Sequence, residues 1–364
     1  MKIDLIAGAR PNFMKISPII DAIRQASDRG HDISFRLVHT GQHYDQNMSG
    51  SFFEALNIPP PDVNLGAGGG SQAEQTAAIM IGYEKLLLES RSDLCLVVGD
   101  VTSTMACAIS AQKLSVPVAH VEAGIRSGDW TMPEEINRMV TDSITNYFFT
   151  TTEAADQNLI RSGVGEERIF RVGNTMIDTL LKHRPRFKQP EIWEQKALDV
   201  GKYIVMTLHR PANVDQEEKL RALIEQIVAH TQGLPLIFPV HPRTRKILEN
   251  LGIVHDALHM IEPLGYLEFN FLVERAKAVV TDSGGITEEA TVMGIPCMTL
   301  RDNTERPETI TMGTNELLGN DPKSISPAME KLFAGNWKKG QEIPLWDGKT
   351  AERIVKHIID IFNI

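Results

Sequence analysis

Residues 276–290 read AKAVVTDSGGITEEA. The short apolar run through Val280 has the length and β-branched content of a buried strand, and the segment after Gly285 reads as a helix. Ser283, Gly284 and Gly285 make the turn between them. Two adjacent glycines let the backbone come close to a ligand, and the free N–H groups of a helix start favour an anion. Glu288 and Glu289 follow in the first turns. A carboxylate placed there cannot bind the same phosphate, but it accepts hydrogen bonds from a sugar diol attached to it. Phosphate and diol together suggest a nucleotide.

The same strand, turn and helix recur along the chain. Runs rich in Val and Ile, such as KIDLIAG, ISFRLVHT, DLCLVVGD, VPVAHVEAG, KYIVMTLH, PLIFPVH and IPCMTL, alternate with helix-length amphipathic segments. That alternation implies an α/β class with parallel sheets covered by helices on both faces. At 364 residues the chain is too long for one ordinary core. The alternation starts afresh after about residue 170, before a charged stretch with Pro185 and Pro190. The expectation is two Rossmann-like, doubly wound domains, 1–170 and 171–349. The stretch GAGGGS at 66–71 reads as a flexible loop by composition.

Bulk properties narrow the classes. A net charge of -10 argues against a nucleic-acid surface, so any phosphate bound belongs to a small molecule. Cys95, Cys107 and Cys297 are scattered through apolar runs without metal spacing, as expected of reduced core residues in a cytoplasmic protein. MKIDLIAGARP is too short an apolar run to span a membrane and reads as a first buried strand, not a signal peptide. No membrane insertion is expected.

Polar residues cluster just after the strand runs, where open α/β sheets bind ligands. Asp100 follows LCLVVG, Glu122 follows VPVAHV, His209 and Arg210 follow YIVMTL, and His241 follows PLIFPV. Any one of them alone reads as an N-cap or a satisfied edge residue, but their joint placement favours a site. Arg10 and Lys15, in GARPNFMK, flank the first strand-to-helix turn, where an arginine can grip a diphosphate bidentately. TMPEEINR adds Glu134 and Glu135. Pro133 at a first helical position followed by acids is also what a helix start alone selects, so both readings of these two stay open. Carboxylates crowded in a cleft shift one another's ionisation and can place an acid beside a base. No G-x-G-x-x-G follows the first strand and no Walker lysine motif occurs, so neither a nicotinamide cofactor nor a P-loop is expected. G-x-S-x-G is absent, and the histidines lack metal spacing. Neither a cofactor nor a metal is expected.

Taken in order, GARPNFMKISP, TGQHYD, VVGDVTST, HVEAGIRSGDWTMPEEINR, VGNTMID, LHRPAN, PVHPRT, TDSGGITEEA and LRDNTERPETI resemble the non-hydrolysing UDP-N-acetylglucosamine 2-epimerases. The likeness runs from residue 1 to DGKTAERIV near the C-terminus. It implies a glycosyltransferase-B-like fold with the active site in the interdomain cleft, a C-terminal helix at 350–364 crossing back onto the first domain, and a homodimer. It also implies interconversion of UDP-N-acetylglucosamine and UDP-N-acetylmannosamine, by elimination of UDP to 2-acetamidoglucal and re-addition. Asp100, Glu122 and Glu134 match the family's acid/base set, and His209 its cleft histidine. Ser283, Gly284 and Gly285 match the diphosphate site with help from Arg10, Glu289 matches the ribose receptor, and Glu288 is left to solvent. Lys15, Arg210 and His241 match further cleft positions. The family's second-site activation uses an Arg and two Gln. Here Gln42 and His43 are kept as the possible allosteric pair, but Asp45 stands where a Gln is usual, and GAGGG replaces the segment carrying the Arg.

Rival readings share parts of this pattern. A glycosyltransferase of the same architecture needs no proton chemistry at C2, so the three acids weigh against it. A hydrolysing relative begins with the same elimination, and a modified substrate, such as a 2,3-diacetamido uronic acid sugar, fits the altered activation region. A non-enzymatic sugar-nucleotide sensor is the third class.

Overall fold

The structure, a computed structural model, describes residues 1–41, 53, 54, 56–240 and 242–364. It divides into two compact units, Met1–Lys182 with Pro344–Ile364, and His183–Ile343.

The first unit is built on seven strands: β1 (Lys2–Ala7), β2 (Ser34–His39), β3 (Val63–Asn64), β4 (Leu94–Val98), β5 (Val118–Val121), β6 (Tyr147–Thr150) and β7 (Ile169–Arg171). Their order is β3-β2-β1-β4-β5-β6-β7 and every pairing is parallel. Succession reverses between β1 and β4, which opens a crevice at the carboxyl ends of those strands. Helices α1 (Arg10–Asp28), α2 (Gln72–Glu89), α3 (Thr102–Lys113), α4 (Pro133–Ile144) and α5 (Glu153–Arg161) make crossovers, and α6 (Thr175–His183) follows β7. β4 is buried along its whole length, as LCLVV demands of a central strand covered on both faces.

The sequence reading places the domain boundary at 170, and the structure places it at 182–183. The reason is hydrogen bonding beyond residue 170. β7 completes the first sheet on β6, and the Thr179 hydroxyl in α6 donates to the Met14 carbonyl in α1 at 2.6 Å. The chain rejoins this unit from Pro344, with Trp346 buried and its indole N–H donating to the Thr151 carbonyl. The motif VGNTMID organises that return. Gly173 has φ +105°, and a Cβ on it would lie 2.1 Å from the Leu345 carbonyl oxygen. Asp178 accepts the amides of Thr350 and Ala351 at 3.1 and 2.7 Å, satisfying two donors at the start of the C-terminal helix Thr350–Phe362.

The GAGGGS connection is an exposed loop, with Ala67 buried and the backbone held closely at one point. The Ala67 amide donates to Thr40 at 2.8 Å, and a Cβ on Gly68 would sit 2.5 Å from the Gly41 oxygen. Glycine is there for close backbone approach. Ser71 then caps α2 in a capping box with Glu74.

The second unit has six parallel strands, β8 (Ile204–Thr207), β9 (Leu236–Pro239), β10 (Leu258–Ile261), β11 (Ala278–Thr281), β12 (Cys297–Thr299) and β13 (Asn315–Leu317), in the order β10-β9-β8-β11-β12-β13. Alternation along each strand feeds two cores. Ile204, Met206, Leu236, Phe238, Ala278, Val280 and Met298 pack on one face, with Leu223, Ile224 and Ile227 of the helix Glu217–Ala229. Tyr203, Val205, Ile237, Val279 and Cys297 pack on the other, with Phe271, Leu272 and Val273 of the helix Tyr266–Arg275. Removing the Leu223 side chain costs about 2–5 kcal/mol, as for any fully buried leucine.

All three cysteines are buried free thiols, and burial pushes the Cys297 thiol up to about 12. Among the described residues, no helix is long and apolar enough to cross a membrane.

Candidate active site

In the first unit the site residues gather where β1, β4 and β5 end. Asn12 fixes the first turn. Its Oδ1 accepts the amides of Gly8 and Ala9 at 3.1 and 3.0 Å, while Nδ2 donates to the Val98 carbonyl at 3.0 Å. Lys15 follows on the same face of α1. Its Nζ lies 2.7 Å from Oε2 of Glu122, and a Cβ on Gly99 would come within 3.3 Å of that ammonium. Gly99 has φ +69°, which favours glycine, and the ammonium leaves little room for a side chain there. Arg10, at the first position of α1, is exposed.

Glu122 itself is 4% exposed and sits at φ +67°. A glutamate in the left-handed region costs about 1–2 kcal/mol and needs its surroundings to hold it there. Those surroundings are visible. His120, fully buried in β5, faces the Gly99 carbonyl with Nε2 at 2.8 Å and Asp142 with Nδ1 at 2.7 Å. Asp142 also accepts the Gly124 amide and Arg126 at 3.1 and 2.6 Å. Burial opposes its ionisation, but His120 and Arg126 hold its carboxyl below the usual range.

Asp100 and Glu135 share one arginine. Arg138 reaches Asp100 with Nη2 at 2.6 Å and Glu135 with Nη1 at 2.8 Å. Asn137 donates to the Asp100 carbonyl at 2.8 Å. Glu135 further accepts the Ser127 amide and hydroxyl and the Gly128 amide, each at 3.0 Å. Burial raises its pKa, yet those amides and Arg138 outweigh burial and bring it below the ordinary value. Glu135 is therefore a brace. Its neighbour Glu134 is half-buried at the start of α4, one residue round the helix from that brace.

In the second unit β8 and β11 lie side by side, with Thr207 opposite Thr281 and their hydroxyls 2.6 Å apart. His209 and Arg210 follow the first strand, and Asp282 and Ser283 the second. Asp282 is fully buried and accepts the amides of His209 and Arg210, the side chain of Asn213, and Nδ1 of His209 at 2.7 Å. The Arg210 guanidinium donates back to the Asp282 carbonyl at 3.1 Å. Ser283 caps the helix Gly284–Met293 by backbone position only, with no side-chain cap bond. The first amides of that helix, at Gly284 and Gly285, are among those an α-helix leaves without internal acceptors. The Arg301 guanidinium lies beside Gly284, 3.8 Å from the position of a Cβ, and is ion-paired with Glu305 at 2.8 Å.

Glu288 and Glu289 part company. Glu288 is buried and ion-paired with Arg306, so the expectation that it faces solvent is corrected. Glu289 is 4% exposed and accepts the Tyr266 hydroxyl at 2.7 Å. Burial pushes its carboxyl up to about 7, the charge of Glu288 adds to this, and the Tyr266 hydrogen bond works against it.

The structure thus brings Lys15, Asp100 and Glu122 to one sheet edge, with Glu134 on the helix that supplies Arg138. It brings His209, Arg210, Ser283, Gly284, Gly285 and Glu289 to the other sheet and its helix. His241, Gln42 and His43 lie outside the described residues. Asn12, Arg138, Asp282 and Tyr266 escaped the sequence reading, although RPNF, EEINR and VVTDSGG contain three of them. Among the described residues no three His, Cys, Asp or Glu side chains come together to hold a metal ion.

The family model for UDP-N-acetylglucosamine 2-epimerase matches residues 25–359. A UDP-N-acetylglucosamine 2-epimerase of Methanocaldococcus jannaschii is 42% identical, over 98% of each chain. The chain belongs to the UDP-N-acetylglucosamine 2-epimerase family. Another relative, at 41% identity over 88% of each chain, is the UDP-2,3-diacetamido-2,3-dideoxy-D-glucuronate 2-epimerase of Pseudomonas aeruginosa. The crystal structure of the M. jannaschii epimerase in complex with UDP-GlcNAc and UDP superposes with a TM-score of 0.88 at 41% identity, covering 99% of this chain and 100% of that one. The two parallel sheets are those of the glycosyltransferase-B-like fold of these epimerases, and members of the family are isomerases.

Proposed function

We propose that this 2-epimerase interconverts UDP-N-acetylglucosamine and UDP-N-acetylmannosamine by elimination and re-addition of UDP. The hydrogen at C2 is not beside a carbonyl, so it becomes removable only as the C1–O bond breaks. A carboxylate takes the C2 proton, the C–H electron pair becomes the C1=C2 bond, and the C1–O pair leaves with UDP. A β-phosphate oxygen then returns to C1 while a proton is added to the opposite face of C2. Asp100, Glu122 and Glu134 are the proton carriers, and His209 assists. Cations and helix amides hold the diphosphate: Arg10, Lys15 and Arg210 as the charges, and Ser283, Gly284 and Gly285 as donors. Glu289 receives the ribose hydroxyls.

One observation carries the acid/base reading. Glu122 is held on left-handed backbone, nearly buried, with an ammonium at 2.7 Å, an arrangement with a folding cost that a merely structural residue would not require. Whole-length kinship at 42% identity favours this activity over a glycosyltransferase, a sensor or an epimerase of a modified sugar. Incubation with UDP-N-acetylglucosamine in D2O, followed by NMR, tests the proposal. The expected product is UDP-N-acetylmannosamine carrying deuterium at C2. Product without deuterium overturns the mechanism, and net release of UDP with free N-acetylmannosamine overturns the non-hydrolysing assignment.

The enzyme is further proposed to act as a cytoplasmic homodimer. Free buried thiols support a reducing compartment, and exposed Ile81 and Leu88, seven residues apart on α2, support a covered helix face. Light scattering giving a monomer mass at micromolar concentration would overturn the dimer.

A further inference from the structure

Asp282 does more than join two strand ends. Three donors converge on its Oδ2: the His209 amide at 3.1 Å, the Arg210 amide at 2.9 Å and Nδ2 of Asn213 at 3.0 Å. Its other oxygen, Oδ1, lies 2.7 Å from Nδ1 of His209 and shares the His209 amide, at 3.2 Å. Asp282 is fully buried, whereas the His209 side chain is 61% exposed. Burial opposes ionisation of Asp282, but the His209 ring, the Arg210 amide and Asn213 together hold its carboxyl below the usual range. An ionised carboxylate can only accept hydrogen bonds. Nδ1 must therefore carry a proton, and Nε2, on the far side of the ring, is left to exchange one.

We propose that Asp282 is a positioning residue for the epimerase reaction, fixing His209 in the Nδ1–H tautomer so that Nε2 is the atom presented to the UDP-sugar. This rests on the reading of His209 as part of the catalytic set. The three donors on Oδ2 have a further consequence for the variant Asp282→Asn. The amide oxygen takes the place of Oδ2, because only oxygen can accept three N–H groups, and the NH2 group then faces Nδ1. An NH2 group donates, so Nδ1 must give up its proton and Nε2 must take one. The fold keeps its caps while the ring switches tautomer.

The test combines nitrogen NMR with turnover. Spectra of the ¹⁵N-labelled protein are recorded at a pH where the ring is neutral, with His209→Asn identifying the signal. The wild type should show Nδ1–H and a bare Nε2, and Asp282→Asn the reverse. Turnover of Asp282→Asn should fall by about tenfold or more, and UDP affinity should stay within about threefold. A purely structural aspartate would lower the melting temperature and leave the turnover of the folded enzyme unchanged. Nε2–H in the wild type overturns the proposal, as does a switched tautomer with normal turnover. Should Asp282→Asn not fold, the wild-type spectrum still decides the tautomer. Asn213→Ala, which removes one anchor of the carboxylate, should then slow turnover by about threefold, and unchanged turnover in it overturns the proposal. If His209→Asn is slow while Asp282→Asn is fast, the role of His209 stands and only the proposal falls. If His209→Asn turns over normally, both fall.

Discussion

Nucleotide binding should expel a proton from Glu289. The carboxyl is pushed up to about 7 from an ordinary 4.5 by burial, and the charge of Glu288 adds to the effect. Ribose hydroxyls donate to a carboxylate, so UDP selects the ionised form. At pH 5.5 only about 3% of the empty sites are ionised, against about 90% at pH 8, so affinity should fall about 30-fold between the two, roughly 2 kcal/mol at 1.36 kcal/mol per pH unit. UDP titrates in the same window. Glu289→Gln supplies the reference, because its pH dependence contains the phosphate's share and not the carboxyl's. Calorimetry at pH 7 in two buffers of different ionisation enthalpy should show about half a proton more released per UDP by the wild type than by Glu289→Gln. Tyr266→Phe removes the hydrogen bond that favours the charged form. It should move the wild-type profile to higher pH and weaken binding at pH 7.5 by about 1–3 kcal/mol. The same shift acts on the empty protein with a definite sign. A carboxyl raised by folding contributes stability that is complete below its ordinary 4.5 and is lost as pH rises through about 7, so Glu289→Gln should gain on the wild type as pH rises from 5 to 8. Identical affinity profiles for the wild type and Glu289→Gln, with equal proton release, would refute the reasoning.

Asp100→Asn, Glu122→Gln and Glu134→Gln should each lower turnover by about 10²-fold or more while UDP affinity changes little, and near-normal rates in all three would rule out the acid assignment. Glu135→Gln should act differently from its neighbour. It breaks the charge-assisted bonds to Ser127, Gly128 and Arg138 and should cost about 2–4 kcal/mol in urea titration, whereas Glu134→Gln should melt like the wild type. Gly173→Ala must push a methyl to within 2.1 Å of the Leu345 oxygen at φ +105°, so it should release the C-terminal segment, read as lost hydrogen-exchange protection in residues 350–362. Rate against UDP-N-acetylglucosamine should be hyperbolic, because Asp45 and the GAGGG segment stand where the family pattern has an activating Gln and Arg; a strongly sigmoidal curve would contradict this.

What could be read from the sequence was local. Strands show as Val-rich runs, and the polar residue after each run marks the sheet's carboxyl edge, so Asp100, Glu122, His209 and Ser283 could be placed at those edges without the structure. What was missed acts across long separations in the chain. Asn12 reaches Val98 over 86 residues, Arg138 reaches Asp100 over 38, and Asp282 meets the His209 amide over 73. No period or spacing encodes such pairs; the sheet order creates them. Glu134 and Glu135 illustrate the limit. They are adjacent acids in one helix start, and only the fold of the 127–128 loop turns one into a brace. The boundary at 170 failed for a related reason: α6 looks like the opening of a new βα series, yet its face belongs to α1. Within GAGGGS the close approach of Gly68 to Gly41 stayed hidden, because glycine serves both open loops and tight backbone contacts and composition does not distinguish them.

The charged groups around Glu122 and Asp100 are poor choices if stability alone is the measure. Taking Lys15 and Glu122 out of water costs several kcal/mol per ion before their attraction is counted, and a well-packed apolar pair is as stable or more so. Glu122 adds backbone strain to that cost. The surrounding residues go further and spend hydrogen bonds on keeping the arrangement: His120 on the Gly99 carbonyl, Asn12 on two amides and Val98, Asn137 on the Asp100 carbonyl. Each of these bonds fixes the position of a strand end or of an acid, and none gives a larger apolar core. An elimination that must take a proton from one face of C2 and deliver it to the other needs carboxylates whose positions are set before the substrate arrives, since reorganising them during the reaction would add to the barrier. The strain at Glu122 and the paired cations are what such preorganisation requires. Replacing Lys15 and Glu122 together by Met should therefore leave the protein as stable as before, or more so, while turnover collapses, whereas Lys15→Met alone should cost about 3–5 kcal/mol because it takes the cation from a buried carboxylate. A double variant that is both less stable and fully active would invert this account.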